Sequence, residues 1–279
     1  MKLIYRPEID GLRAIAVISV ILYHSQFKIY EFQFFKGGFI GVDIFFVISG
    51  YLITLIILKE ITLKGNFSFK NFFERRIRRI LPAFLFVILV SFPFAWMYIR
   101  PSFFLDYSES ILYSIGFISN YYFLNSQQEY GAQSSLLIPF LHTWSLSIEE
   151  QFYIILPFFL VIISKHINKY LITIIILVFC ISFILSNLES RSDPYISFYS
   201  LHTRIWELLA GSILAFFEIK LGCRSKNNIL NFTMPVVGII LIIFSIIYFD
   251  HNILHPSFFT LLPVIGTSLI IWFSNKNEI

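Results

Sequence analysis

Arg13 and His24 place a cation and an imidazole inside one apolar run of the chain. Eleven steps of about 100° return a helix to within ~20° of its start, so the two side chains share a face, roughly 16 Å apart along the axis. Ionisable groups in a bilayer cost on the order of 2.5–3.5 kcal/mol each at its centre and mark functional sites. An imidazole is suited to taking a proton near neutral pH. The chemistry that asks for one is activation of a hydroxyl, because an alcohol is a poor nucleophile until a positioned base removes its proton. His24 is the candidate base. Asp10, one turn before Arg13, has the spacing to pair with it. An interfacial histidine and a snorkelling arginine are the plainer alternative.

Three further constellations carry chemically useful groups. Arg75, Arg76, Arg78 and Arg79 form a cluster ended by Pro82 at the start of the next apolar segment. Arg75, Arg78 and Arg79 share a helix face. Arginine forks match phosphate oxygens, so the cluster reads as a phosphate clamp, or equally as a positive anchor at the cytoplasmic surface. The second constellation is His142-Thr-Trp144-Ser145-Leu-Ser-Ile-Glu149-Glu150-Gln-Phe-Tyr153. Counted as helix, His142, Ser145, Glu149 and Tyr153 fall on one face, which should line a cavity rather than meet lipid. Ser147 and Glu150 have capping-box spacing, which would make Glu150 structural. In the third, Arg204, Glu207 and Gly211 share a face, so the two charges can neutralise each other. Gly211 and Ala215 offer a neighbouring helix a small-xxx-small contact. Gly37-Gly38-Phe-Ile-Gly41-Val-Asp43 reads as a flexible glycine turn leading Asp43 into the second span, with Arg13, Arg204 or a histidine as its candidate partner.

The elements that must position these groups are membrane helices. The 279 residues are 57% hydrophobic and 14% charged, against about a quarter charged in soluble domains. The fold class expected is all-α, a polytopic transmembrane bundle. Apolar runs lie near Ile9–Phe27, Phe39–Leu58, Ile80–Tyr98, Leu141–Ile163, Tyr170–Asn187, Phe198–Phe217, Phe232–Phe249 and Ser257–Phe273. Ile111–Leu124, at about 21 Å of helix, falls short of the ~30 Å hydrocarbon core. Basic links at 59–79, 164–169 and 218–231 belong in the cytoplasm by the positive-inside rule. The scheme closes with eight spans, a cytoplasmic N-terminus and 111–124 as a short re-entrant or interfacial helix. Nucleic-acid binding has no support, since the one basic cluster directly precedes an apolar segment. No Gly-x-Ser-x-Gly elbow, P-loop or His-Glu-x-x-His occurs, and no metal is expected. No internal repeat is visible, which counts mildly against a repeat-built transporter.

Five separated motifs resemble the membrane-bound acyltransferase family 3, its O-antigen and cell-wall O-acetylase branch above all. They are Tyr5-Arg-Pro-Glu-Ile-Asp-Gly-Leu-Arg13 followed by His24, Gly38–Tyr51, Phe73–Pro82, His142–Tyr153 and Thr203–Gly211. The resemblance implies an enzyme of the bacterial inner membrane, with no permanently bound cofactor. It would take an acyl group, acetyl in the first instance, from cytoplasmic acetyl-CoA or another acyl-CoA. The acceptor would be a hydroxyl of a surface polysaccharide or its lipid-linked precursor. It makes Arg13 and His24 essential, assigns donor binding to Arg75, Arg76, Arg78 and Arg79, and puts the His142–Tyr153 segment in the same active region. His142 and Glu149 are accordingly placed with the catalytic groups. Asp43, Trp144, Ser145, Glu150, Tyr153, Arg204 and Glu207 are expected around the cavity. The family pattern usually continues into another span and an extracytoplasmic SGNH-type domain. The chain is therefore expected to be a truncated acyltransferase domain over 1–279, with a separate SGNH-type protein as a candidate partner. A glycolipid transporter or flippase and a non-catalytic subunit are the rival readings.

Overall fold

A computed structural model describes residues 5–26, 28, 30, 33–128, 138–166, 168–250 and 252–274. The last residue expected of the first span, most of the 125–140 link and the chain's final five residues lie outside that set. Among these residues eleven helices follow in order: α1 Pro7–His24, α2 Gly41–Lys64, α3 Phe69–Tyr98, α4 Pro101–Ile115, α5 Ser119–Gln128, α6 Thr143–His166, α7 Leu171–Ser192, α8 Pro194–Tyr199, α9 Leu201–Leu221, α10 Asn228–Tyr248 and α11 Leu261–Phe273. Short 3-10 turns at Gly38–Ile40 and Phe258–Thr260 lead into α2 and α11. No strand occurs among the described residues.

Among the described residues five helices, lying within 38–64, 69–98, 143–164, 171–192 and 228–248, are long and apolar enough to cross a membrane. Phe258–Phe273 is a shorter apolar stretch. The remaining expected spans, α1 and α9, have 18 and 21 residues. At 1.5 Å per residue they reach about 27 and 32 Å; their internal charges set them apart from the five.

The chain divides into two compact units, residues 1–59 with 162–279, and residues 60–161. In the first, α10 packs on α11 and α7 on α9, around a core that includes Leu12, Ala16, Ile44, Ile48, Trp206 and Ile242. Glycine sets the closest approach. A Cβ on Gly50 would sit 1.8 Å from the Leu208 carbonyl oxygen, and one on Gly211 would sit 2.0 Å from that of Val47. The small-residue face of α9 thus presses its backbone against α2. The Gly37–Gly41 turn, expected to be flexible, is packed instead. A Cβ on Gly38 would meet the Ser19 carbonyl oxygen at 2.2 Å, and the Gly37 N–H donates to the Ile246 carbonyl at 2.9 Å.

In the second unit α3 is one continuous helix of 30 residues, about 45 Å long. Pro82 lies within it and does not end the arginine cluster, because a proline inside a membrane helix can have its freed carbonyl satisfied locally. The 111–124 segment is not one helix. It breaks after Gly116 at Phe117, whose φ is +54°. Backbone opened inside a membrane protein must find partners, and one face of α6 supplies them. Ser147 Oγ accepts from the Ser119 N–H at 3.2 Å, and Gln151 Nε2 donates to the Phe117 carbonyl at 2.9 Å and to Asn120 Oδ1 at 2.8 Å. Thr143 Oγ1 donates to Ser119 Oγ at 2.9 Å. Ser147 therefore serves the break and is no N-cap: α6 begins four residues before it. The capping-box reading of Glu150 falls with it.

Candidate active site

The expected site residues fall into two sets. Arg13, His24, Asp43, Arg204 and Glu207 belong to the first unit. Arg75, Arg76, Arg78, Arg79, His142, Trp144, Ser145, Glu149, Glu150 and Tyr153 belong to the second.

On α1, Arg13 Nη1 lies 3.0 Å from Asp10 Oδ1, as the spacing required. His24 closes the helix, exposed, with Nδ1 at 2.9 Å from the Val20 carbonyl oxygen. A carbonyl can only accept, so Nδ1 carries the proton and Nε2 the lone pair. Nε2 has no partner among the described residues, and a histidine held in one tautomer with an open second nitrogen is ready to accept a proton. Tyr23 packs edge-on to the imidazole with ring centres 5.0 Å apart.

Arg204, fully buried, organises the centre of the first unit. Its Nη1 contacts Asp43 Oδ1 at 3.0 Å and Glu207 Oε1 at 2.7 Å. Its Nε donates to the Phe198 carbonyl at 3.3 Å, and Nη2 lies 3.2 Å from His255 Nε2. Of Asp43's three candidate partners, Arg204 takes the role; His255 Nε2 lies 3.4 Å from the same oxygen but accepts from Arg204 and has no proton to offer the carboxylate. Asp43 Oδ2 and Glu207 Oε2 have no hydrogen-bond partner among the described residues. Sequence reasoning missed His255. It sits in a link that read as plain polar loop, and its signal was a histidine beside Pro256 at the entry to the last apolar run.

A second network at the other end of the same helices was also missed. Arg6 contacts Glu8 at 2.8 Å and the Ile271 carbonyl at 2.6 Å, and it bonds the Tyr51 hydroxyl, which in turn donates to Glu218. Arg224 contacts Glu8 at 3.0 Å. These bonds tie the start of α1 to α2, the ends of α9 and α11 and the loop before α10.

In the second unit the arginines divide. Arg75, Arg78 and Arg79 are exposed on α3, and Arg78 pairs with Glu74 at 2.6 Å. Arg76 turns inward, its guanidinium 4.6 Å from the centre of the Tyr153 ring. Tyr153 donates to Glu149 Oε2 at 2.8 Å. Glu150 is buried beside them with Oε1 unpartnered among the described residues. His142 precedes α6, exposed, its Nδ1 3.1 Å from the Pro139 carbonyl oxygen, and Ser145 Oγ donates to the His142 carbonyl at 3.2 Å. Trp144 is buried. The expected stripe thus joins Glu149 to Tyr153 and adds Arg76, while His142 stands at the helix mouth.

Residues 6–278 match the family described as Acyltransferase domain. Peptidoglycan O-acetyltransferase OatA of Listeria monocytogenes is 39% identical over 216 residues, covering 76% of this chain and 34% of that protein. Putative peptidoglycan O-acetyltransferase YrhL of Bacillus subtilis is 41% identical over 215 residues, 76% of this chain and 33% of its own. Putative O-acetyltransferase SAS0844 of Staphylococcus aureus is 33% identical over 282 residues, 96% of this chain and 45% of its own. The chain thus spans less than half the length of these relatives. No solved structure matches it.

Proposed function

Because the chain belongs to the Acyltransferase domain family, we propose that it transfers an acetyl group from acyl-CoA at the cytoplasmic face of the bacterial inner membrane to a hydroxyl of a cell-wall or surface polysaccharide beyond it. The relatives named as peptidoglycan O-acetyltransferases support peptidoglycan, or its lipid-linked precursor, as the acceptor. The orientation has the N-terminus inside, with the basic links at 59–79 and 218–231.

His24 Nε2 is the base. It takes the acceptor hydroxyl's proton as the oxygen attacks the thioester carbonyl, and the departing CoA thiolate is protonated on leaving. The observation that carries this assignment is the Nδ1–H···O=C bond to Val20, which leaves the lone pair on the open nitrogen. Arg13, half-buried and paired with Asp10, balances charge along the same face. Arg75, Arg78 and Arg79, exposed on one helix, suit the phosphates of the donor. Arg76, Tyr153, Glu149 and Glu150 shape the cavity beside them, with His142 at its mouth.

The test is acetyl transfer from radiolabelled acetyl-CoA to cell-wall acceptor in membranes holding the wild type or His24→Ala. Transfer should vanish in the variant while the protein inserts normally. Wild-type transfer by His24→Ala would remove the base assignment, and no consumption of acetyl-CoA by the inserted wild-type chain would return the transporter reading.

A further inference from the structure

The open nitrogen of His24 is useful only if the last turn of α1 stays formed, and that turn leans on a platform. Tyr23 packs edge-on against Phe39, with ring centres 5.6 Å apart, and Phe39 packs edge-on against His255 at 4.8 Å. Phe39 belongs to the same 3-10 turn as Gly38, whose missing side chain lets that turn close on the Ser19 backbone and the Tyr23 Cβ of α1. Four rings therefore run from the exposed His24 to the buried polar centre, all within one compact unit.

His255 is held at both nitrogens. Arg204 Nη2, 3.2 Å away, can only donate, so His255 Nε2 accepts and Nδ1–H donates to Thr260 Oγ1 at 3.2 Å. Thr260 is itself fixed by the Ser257 N–H at 3.0 Å. Burial first, and then the Arg204 guanidinium, hold His255 well below the usual histidine range, with Glu207 opposing them. The ring is neutral and in one tautomer, and a shift in it would move Phe39 directly. We propose that His255 is a positioning residue for His24, holding it in its Nδ1–H form through Phe39 and Tyr23. The proposal rests on the reading of His24 as the base.

The experiment uses the full chain with ¹⁵N-labelled histidine in detergent micelles near pH 8, His24 being assigned by its loss in His24→Ala. In the wild type, His24 should show a protonated Nδ1 and a bare Nε2. His255→Gln offers an amide to Arg204 and Thr260 but no ring to Phe39. Phe39→Leu breaks the chain one step further on and leaves the buried cluster intact. Both should move His24 toward a mixture of the two tautomers. Both should also lower acetyl turnover roughly tenfold with the donor KM unchanged, since small displacements of a catalytic group cost up to ~100-fold. In the double variant the effects should not multiply, because they act through the same rings. An unchanged His24 tautomer in Phe39→Leu and in folded His255→Gln would overturn the proposal, as would multiplying losses. Wild-type turnover in His24→Ala, alongside the tautomer shift, would instead overturn the base assignment and leave the coupling standing.

Discussion

Arg204 on α9 is fully buried and touches two carboxylates, a histidine and a backbone carbonyl. Arg75, Arg78 and Arg79 on α3 stand exposed, and of the three only Arg78 has a carboxylate partner among the described residues. The side chain is the same and the physics is opposite. A buried guanidinium must be neutralised in place, so its bonds are committed to the fold and none remain for a ligand. An exposed row keeps its donors in water, where they contribute little to stability and stay available for phosphate. If this contrast holds, substitutions in α9 should act on folding and those in the α3 row on the donor.

The largest effect should come from Arg204→Ala. Removing one member of a buried charge network leaves its partners uncompensated, at about 3–5 kcal/mol. Thermal unfolding in detergent should show a collapse of the transition or no folded protein. A variant melting like the wild type would mean that Asp43 and Glu207 are compensated elsewhere, and the contrast with α3 would fail. Gly50→Ala should come next. Its new methyl meets the Leu208 backbone and no movable side chain, so α2 and α9 must separate, at about 1–3 kcal/mol or more. The same melting measurement checks it, and an unchanged Tm would mean that the helices yield freely.

Acid sharpens the contrast by a smaller amount. His255 faces Asp43 from α2, Arg204 and Glu207 from α9, Thr260 from the turn before α11, and the Phe39 and Phe198 rings. Its folded-state pKa is lowered, so below about pH 6.5 the unfolded chain binds a proton that the folded chain refuses. Stability from this group is complete above that pH. It falls as pH drops, by at most ~1.4 kcal/mol per unit. Wild-type Tm should therefore decline between pH 7 and 5 more steeply than that of His255→Gln. Equal slopes would show that His255 takes up its proton in the fold.

Local pairs were legible in the residues because helical spacing fixes them. Asp10 with Arg13, Arg204 with Glu207 and Glu149 with Tyr153 all sit three or four apart. The small-residue contact at Gly211 was legible for the same reason. What spacing cannot give is the partner across the fold. Asp43 had three possible partners, and the one it takes, Arg204, lies 161 positions along the chain. The face rule grouped Arg75, Arg78 and Arg79 but could not say that Arg76 would turn toward Tyr153. Shortness marked 111–124 as unable to cross, yet of the α6 side chains that satisfy its break Ser147 was read as a cap, and Thr143 and Gln151 were given no role. Gly37–Gly41 looked flexible because glycine permits both freedom and close approach, and only the neighbouring helices decide between them.

The smallest change in stability should belong to the change with the clearest functional signature. Arg75→Ala, Arg78→Ala and Arg79→Ala together remove one exposed pair, Arg78 with Glu74, and an i,i+4 helix pair of this kind contributes about 0.3–0.5 kcal/mol. Tm should barely move. If the row holds donor phosphates, the KM for acetyl-CoA should rise at least tenfold in the triple variant while kcat at saturating donor stays near wild type, because uniform binding energy is lost and the transition state is not singled out. The dependence of KM on ionic strength should flatten as well, since exposed charges are the ones that salt screens. An unchanged KM with a scrambled membrane orientation would assign the row to topology instead. Arg76→Ala separates the two roles within the cluster: its side chain is committed to the Tyr153 ring, so its loss should register in stability before it registers in the salt dependence of the donor.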